Sequence, residues 1–354
     1  MKSNKSINTI KLSFKKKIHE SGKIFIIAEA GVNHNGSLKI AKSLVDIAVL
    51  AKADAVKFQT FSTNEIILKK APKANYHIET TGSDKKISWF KLLKSQELSY
   101  ENHLKLLKYC NKKKIIFIST PYDFKSVDLL EKIGVEIFKI ASTDADNYQL
   151  IEYIAKKRKP VILSTAMTNL KDISKSFQIL KKHLGIKNIV IMQCTGSYPA
   201  PISDANLRVI EQYKNFFKCL VGYSDHVIGD VAAIAAVSFG ISCYEKHITV
   251  DKNFSGPDHR TSMEKNEFCN LVTKIRDAEC ALGSRFKKIT KSEENNVNKL
   301  KKFLVAKNDI IKGQKIKASD ITAKRTGGKG LAASKYFTLI NKIAKKNYKI
   351  NSPF

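Results

Sequence analysis

The chain has 354 residues, of which 43% are hydrophobic, which suits one barrel-sized domain with a small appendage. No apolar stretch approaches the ~18 residues of a membrane span, and the basic start lacks the apolar core of a secretory signal, so we expect a cytoplasmic protein without a membrane partner. The net charge of +31 suggests nucleic acid, but only six of the 63 basic residues are arginine, the type that nucleic-acid readers favour, so no such partner is expected.

Eight apolar segments rich in Ile, Val and Phe alternate with segments of helical pattern. Continuous apolarity is typical of parallel strands that are covered on both faces. The predicted strands are 24–28, 54–58, 114–118, 136–140, 160–163, 188–192, 219–222 and 241–244. Between them, Ser37 is a predicted cap of a helix over 38–51, and Ser99 of one over 100–112. This alternation predicts a (β/α)8 TIM barrel. An open doubly wound sheet is the alternative, but no G-x-G-x-x-G follows the first strand.

Composition divides the rest of the chain. Residues 1–20 are predicted to be an N-terminal extension, 21–285 the barrel, 286–298 a polar linker and 299–354 a small domain of short strands. So small a domain would be marginal alone and should dock onto something. Within the barrel, 62–99 is a longer insertion between the second and third strands, and we expect it to form a loop over the barrel mouth.

Polar residues end every predicted strand. The active site of a TIM barrel lies at the carboxyl ends of its strands, so these residues are the candidates for chemistry. In strand order they are Glu29; Lys57 and Gln59; Thr120; Lys139, Ser142 and Asp144; Ser164 and Thr165; Cys194; Ser224 and His226; Glu245 and His247.

Lys57 and Lys139 each interrupt an apolar strand. A buried lysine is costly unless it meets an anion, so the pair predicts a phosphate or carboxylate pocket. Hydroxyl groups would complete that pocket: Thr120, Ser142 and Ser224. The alternative is that each lysine pairs with a structural carboxylate such as Glu29 or Glu245.

His226 and His247 close the last two strands. Imidazole is a common ligand of divalent transition metals, and two imidazoles at the same end of neighbouring strands could hold one ion. A single histidine there would more often be structural. Glu29 and Asp144 are candidate acid–base groups or sugar ligands, or else they balance the lysine charges. Asp258 lies on a predicted turn after the eighth strand.

Several segments together resemble the sialic acid synthase (N-acetylneuraminate or nonulosonate synthase) family, whose members condense phosphoenolpyruvate with an N-acetylated aminohexose. They are 27–36, 54–60, 118–121, 138–142, 222–226, 245–249 and 255–259. The tail around 322–325 resembles the antifreeze-like (SAF, β-clip) domain that follows the barrel in these enzymes.

The resemblance implies a role for each matching residue. His226 and His247 would bind Mn²⁺ or Mg²⁺. The predicted phosphoenolpyruvate ligands are Lys57, Thr120, Lys139, Ser142 and Ser224. The residues expected to face the sugar are Glu29, Gln59, Asp144, Tyr198 and Asp258. Of all these, the predicted catalytic residues are Glu29, Lys57, Lys139 and Asp144. Family members form domain-swapped dimers, so Arg325 should complete the partner's site.

The expected reaction gives a nine-carbon sialic-acid-type keto acid and phosphate. N-acetylmannosamine and a diacetamido-trideoxyhexose are the candidate acceptors, the second leading to legionaminic acid. One alternative is a phosphoenolpyruvate-dependent synthase of seven- or eight-carbon keto acids, against which the Arg325 tail argues. The other is a non-enzymatic basic binding module, which would bind polyanions in a salt-sensitive manner.

Overall fold

The computed structural model describes residues 8–73, Ile78 and 87–354. Residues 1–7 of the predicted extension, and 74–77 and 79–86 of the predicted mouth loop, lie outside the described residues. The chain forms two compact units, Met1–Gly283 and Ser284–Phe354.

The first unit begins with an antiparallel hairpin of β1 (Thr9–Lys11) and β2 (Lys17–His19). Ile10 and Ile18 are buried and belong to the same apolar cluster as Phe25 and Ile116 at the starts of barrel strands. The end of the predicted N-terminal extension is therefore part of the barrel unit, where it covers the amino-terminal ends of the strands.

Eight parallel strands close into a barrel in sequence order, with the last strand beside the first. They are β3 (Phe25–Gly31), β4 (Ala55–Thr60), β5 (Ile116–Pro121), β6 (Phe138–Ile140), β7 (Val161–Ser164), β8 (Ile189–Cys194), β9 (Leu220–Asp225) and β10 (Cys243–His247). The predicted TIM barrel is confirmed, and each predicted strand overlaps an observed one.

Helices connect the strands on the outside. They are α1 (Leu38–Leu50), α2 (Thr63–Ile66), α3 (Trp89–Gln96), α4 (Tyr100–Lys113), α5 (Phe124–Ile133), α6 (Tyr148–Lys156), α7 (Leu170–Leu184), α8 (Val209–Phe217), α9 (Val231–Ser238) and α10 (Lys265–Leu282). As predicted, Ser37 accepts from the Ile40 N–H to cap α1, and Ser99 accepts from the Asn102 N–H to cap α4. No helix in the described ranges is long and apolar enough to cross a membrane.

Alternation along the strands divides the barrel interior into two parts. In β3, Phe25 and Ile27 belong to the apolar cluster at the bottom of the barrel, and Glu29 follows on the same face. In β5, Ile116 and Ile118 are followed in the same way by Thr120. The lower interior is therefore a packed apolar core, and the carboxyl ends of the strands place polar groups above it.

The second unit contains α11 (Lys291–Leu300), the antiparallel strands β11 (Phe303–Ala306) and β12 (Ile321–Lys324), and α12 (Tyr336–Leu339). Its small core is formed by Leu304, Ala306, Ile310, Ile316, Ile321 and Ala344. The segment predicted as a linker, 286–298, is helical from Lys291. Its composition is polar because none of the residues of this helix is buried. The helix begins with a capping box between Thr290 and Glu293.

Candidate active site

Four buried charged side chains lie together at the carboxyl ends of the strands. Nζ of Lys57 is 2.7 Å from Oε2 of Glu29 and 3.7 Å from Oε2 of Glu245. Nζ of Lys139 is 3.6 Å from Oε1 of Glu245. All four residues are at most 4% exposed. Two ammonium groups thus face two carboxylates, the arrangement that the alternative interpretation of the lysines expected, and each buried charge is compensated.

Hydroxyl groups from three further strands complete this group. Lys57 donates to Oγ1 of Thr120 at 3.2 Å, and Lys139 donates to Oγ of Ser164 at 2.7 Å. Ser224 donates to Oε1 of Glu245 at 2.9 Å. Neutral donors and acceptors therefore surround the charges, as a pocket for a small anion requires.

The four charged groups differ in their pKa values. Burial raises the pKa of Glu29 to about 7, although the ammonium of Lys57 opposes the shift. Burial also disfavours ionised Glu245, but Lys139 and Lys57 outweigh it and lower the Glu245 pKa to about 2. Burial lowers the pKa of Lys139, whereas Glu245 and Glu29 together outweigh burial at Lys57 and raise its pKa. Glu29 is therefore the carboxylate that can exchange a proton near neutral pH.

Three aromatic rings form the second part of the site. The ring centroids of His226 and His247 are 5.6 Å apart, and that of Tyr198 lies 4.0 Å from His226 and 5.7 Å from His247. Nδ1 of His226 is 2.7 Å from the carbonyl oxygen of Thr195. Because that oxygen can only accept, Nδ1 carries the proton and the Nε2 lone pair is left available for a metal ion.

Of the other predicted barrel residues, Gln59 and Asp258 interact with these groups, whereas Ser142 and Asp144 form hydrogen bonds to other parts of the chain. Gln59 makes a long 3.5 Å hydrogen bond to Oε1 of Glu29. Ser142 accepts from the Ala166 N–H at 3.0 Å, so its hydroxyl binds backbone instead of a lysine. Half-buried Asp144 accepts from the Asn147 amide at 2.9 Å. Burial raises the pKa of Asp258 to about 6, although electrostatic interactions with His226 and Lys57 oppose the shift.

Arg325 lies in the second unit, directly after β12. It is exposed, and its Nε donates to the carbonyl of Leu300 at 3.2 Å within the same unit.

Comparisons with known proteins identify the family. The NeuB family profile matches residues 44–287. The chain belongs to the NeuB family. It is 45% identical to an N,N'-diacetyllegionaminic acid synthase of Campylobacter jejuni over 92% of this chain and 97% of the relative. It is 34% identical to human N-acetylneuraminate-9-phosphate synthase over 90% of this chain and 88% of the relative. A crystal structure of the N-acetylneuraminic acid synthetase of Leptospira borgpetersenii superposes with a TM-score of 0.71 at 34% identity, covering 82% of this chain and 96% of that one.

The predicted family is thereby confirmed, and the chain is an enzyme. NeuB-family enzymes condense phosphoenolpyruvate with amino sugars in a transferase-type reaction that forms a carbon–carbon bond. They are generally metal-dependent.

The imidazole pair of this NeuB-family chain fits a metal ion. Nδ1 of His247 is buried without a hydrogen-bond partner, which is costly for a ring nitrogen. A bound metal ion or a substrate would remove this cost. Within the described ranges, no three His, Cys, Asp or Glu side chains group so that they alone could hold a metal. An ion held by His226 and His247 would therefore keep open positions, as catalytic metals do.

Two residues of the site were predicted only as polar groups at strand ends, and Glu245 also as a possible partner of a lysine, without a role in binding or catalysis. Glu245 interacts with both lysines, and Ser164 accepts from Lys139. The signal for Glu245 was present, because it lies two positions before His247 and must share its inward face. Ser164 ends β7 at the same level, but a single hydroxyl at a strand end carries little signal.

Proposed function

We propose that this NeuB-family enzyme condenses phosphoenolpyruvate with an N-acetylated aminohexose and releases phosphate and a nine-carbon keto acid. The proposal rests on two neighbouring groups of side chains at the carboxyl end of the barrel, the two lysines and the two histidines. A buried Lys57–Lys139 centre suits a small polyanion, and the neighbouring His226–His247 pair suits a metal ion that holds an oxygen-rich partner.

Phosphoenolpyruvate would bind at the lysines. Its carboxylate and phosphate oxygens would accept from Lys57 and Lys139, with help from the hydroxyls of Thr120, Ser142 and Ser224. At present both ammonium groups are neutralised by Glu29 and Glu245, so an incoming anion competes with these carboxylates. Glu29 can take up a proton and lose its negative charge, because its pKa is about 7, and it then no longer competes with the anion for Lys57. Glu245, with a pKa of about 2, stays ionised and holds the lysines in place.

Glu29 would also serve the proton transfers of the condensation. Attack by C3 of phosphoenolpyruvate on the sugar aldehyde makes an alkoxide that needs a proton, and the addition of water at C2 releases one. Protonated Glu29 would give a proton to the alkoxide in the first step, and the resulting carboxylate would take one back from the water in the second. Lys57 and Lys139 would stabilise the anionic groups until phosphate leaves.

The proposed metal ligands are His226 and His247. A bound divalent ion would polarise the sugar aldehyde as a Lewis acid. Imidazole nitrogen suits Mn²⁺ better than Mg²⁺, which prefers oxygen ligands, so of the two predicted ions we propose Mn²⁺.

The sugar would lie above the rings, with Gln59, Asp144, Tyr198 and Asp258 as its polar contacts. We propose a diacetamido-trideoxyhexose as acceptor, because the relatives at 45% and 38% identity are both named N,N'-diacetyllegionaminic acid synthase. The second acetamido group and the missing hydroxyl distinguish this sugar from N-acetylmannosamine.

We further propose that the second unit is an antifreeze-like domain that is exchanged between the subunits of a homodimer. Its exposed Arg325 would then complete the partner's site with a guanidinium, which is suited to a carboxylate.

The test is phosphate release from phosphoenolpyruvate with three acceptors: the diacetamido-trideoxyhexose, N-acetylmannosamine and its 6-phosphate. We expect release with all components and Mn²⁺, and the highest kcat/KM with the diacetamido sugar. A preference for N-acetylmannosamine would overturn the acceptor only. No release with any amino sugar would overturn the whole proposal, and salt-sensitive polyanion binding would then favour the binding module.

A further inference from the structure

An ion pair lies on the outer face of the barrel wall, behind the two histidines. Asp225 of β9 pairs in register with Lys246 of β10, and Nζ of the lysine is 3.0 Å from Oδ2 of the aspartate. The residues are 1% and 2% exposed. Side chains alternate along a strand, so Asp225 and Lys246 point outward where His226 and His247, the next residues, point inward.

Further hydrogen bonds make this pair the centre of a closed group. The Asp225 carboxylate accepts from the hydroxyl of Tyr223 at 3.1 Å, that of Tyr244 at 2.7 Å and the N–H of Val227 at 2.9 Å. Lys246 also donates to the carbonyl of Val227. The carboxylate is thus satisfied on both oxygens, and both backbone polar groups of Val227 are engaged.

These contacts fix the backbone on both sides of His226. Asp225 precedes it and Val227 follows it, and both belong to the group. The His226 carbonyl itself accepts from the Ala200 N–H at 2.9 Å. On β10, Lys246 is the residue directly before His247. One buried ion pair therefore ties together the two strand ends that carry the imidazoles.

Stability alone does not account for such a pair. Desolvating two charges costs about as much as their attraction returns, and apolar residues of similar volume are often as stable or more stable. What a buried, fully hydrogen-bonded pair provides is one defined register between two chain segments. A metal site needs this, because its ligands must keep a fixed separation and orientation.

We propose that Asp225 and Lys246 are positioning residues that hold His226 and His247 at the separation required for one metal ion. The inference rests on the proposed function, because it takes the two histidines as metal ligands. It adds that two buried residues on the outer face of the barrel wall contribute to the affinity of the two histidines for the metal ion.

The test is Mn²⁺ affinity of the full-length enzyme without substrates, measured as free Mn²⁺ by electron paramagnetic resonance. The Asp225→Asn/Lys246→Met variant removes both charges together and nearly preserves volume. We expect its Mn²⁺ Kd to rise about tenfold or more, the usual effect of disturbing groups behind the ligands. Its Kd for phosphoenolpyruvate in chelator should stay within about twofold of wild type, which a general loss of structure would not allow.

A matched control removes an ion pair at the other end of the barrel wall. Nη2 of Arg276 is 3.2 Å from Oδ2 of Asp54, and both side chains are partly buried. Asp54 lies directly before β4. The Asp54→Asn/Arg276→Met variant should lower the Tm and leave the Mn²⁺ Kd unchanged.

These measurements separate the positioning role of Asp225 and Lys246 from the metal assignment of the histidines. If the Asp225/Lys246 variant binds Mn²⁺ like wild type while His226→Ala/His247→Ala has lost binding, the positioning role is wrong and the metal assignment stands. If the histidine variant binds Mn²⁺ like wild type, the metal assignment fails and this inference fails with it. If the Asp225/Lys246 variant does not fold, Tyr244→Phe, which removes one hydrogen bond to Asp225, decides: an increase of about threefold in Kd supports the role, and no change overturns it.

Discussion

The ammonium of Lys57 lies 2.7 Å from a carboxylate oxygen of Glu29, and both side chains are almost fully buried. The same ammonium is the proposed partner of phosphoenolpyruvate. In the proposed complex, Glu29 would hold Lys57 where the substrate anion binds, and its pKa of about 7 would let the carboxylate take up a proton when the anion arrives.

We expect phosphoenolpyruvate binding to take up as much as about three quarters of a proton per site near pH 7.5, because Glu29, with a pKa of about 7, is already about one quarter protonated there. The substrate's negative charge raises the Glu29 pKa further, so Glu29 is more protonated in the complex and affinity falls as pH rises above 7. Calorimetry in two buffers of different ionisation enthalpy, with chelator present, measures the uptake. The control is Glu29→Gln, which should abolish this component and flatten the dependence above pH 7. An uptake unchanged in that variant would contradict the assignment.

Lys139→Met should lower kcat/KM by about 100-fold, mainly through the KM for phosphoenolpyruvate. A charge-assisted hydrogen bond contributes about 1.5–3 kcal/mol, which corresponds to about 10- to 150-fold. Steady-state phosphate release measures the effect. Ser164→Ala is the matched control, because it removes only the hydroxyl 2.7 Å from the lysine and should cost about tenfold or less. Equal losses in both variants would mean that the Lys139 charge does not bind substrate.

Chelation should abolish activity, and Mn²⁺ should restore it at lower concentration than Mg²⁺. At an Mn²⁺ concentration about 100 times its Kd, binding should stabilise the folded enzyme by about 2.7 kcal/mol. Thermal unfolding with and without Mn²⁺ measures this stabilisation independently of turnover. His226→Ala/His247→Ala should show no stabilisation. An equal Tm increase in wild type and variant would place the ion elsewhere.

Arg325→Ala and His247→Ala should each be inactive, and a refolded or co-expressed mixture of the two should regain activity. If Arg325 serves the partner's barrel, a mixed dimer contains one intact site, because one chain supplies the barrel and the other the arginine. Random pairing then gives about a quarter of wild-type activity by simple statistics of mixing. If Arg325 acts on its own barrel, the mixture stays inactive.

Stability should fall in acid partly because of His34. The side chain is fully buried, its Nδ1 accepts from the Gly36 N–H at 3.0 Å, and burial lowers its pKa to about 3. Since the unfolded chain binds a proton near pH 6.5 and the folded one does not, this stabilisation is present above pH 6.5 and is lost as pH falls towards 3. The loss is about 1.6 kcal/mol between pH 6.5 and 5.

Urea unfolding at pH 7, 6 and 5 measures the slope of that loss. His34→Asn keeps an acceptor but cannot titrate, so its stability should vary less with pH, although it starts lower. Identical slopes in the two proteins would assign the acid sensitivity to other groups.

Most of the fold followed from local pattern. Continuous apolar runs marked all eight strands, and two capping serines marked the starts of α1 and α4. The 286–298 segment was harder, because α11 buries none of its residues and so has the composition of a linker. The hairpin before residue 20 was also missed, since strands of three residues give too short an alternation to recognise.

The sequence by itself determined which side chains end the strands and which of them share an inward face, because alternation along a strand is a local property. It could not determine which charges meet. Closure of the barrel brings β10 against β3, so Glu245 and Glu29 approach Lys57 from the last and the first strand of the barrel. Burial then raises the pKa of Glu29 to about 7, whereas Lys139 and Lys57 outweigh burial at Glu245 and lower its pKa to about 2. Only the tertiary structure pairs Asp225 with Lys246 behind the histidines, because register between strands depends on the whole closed sheet.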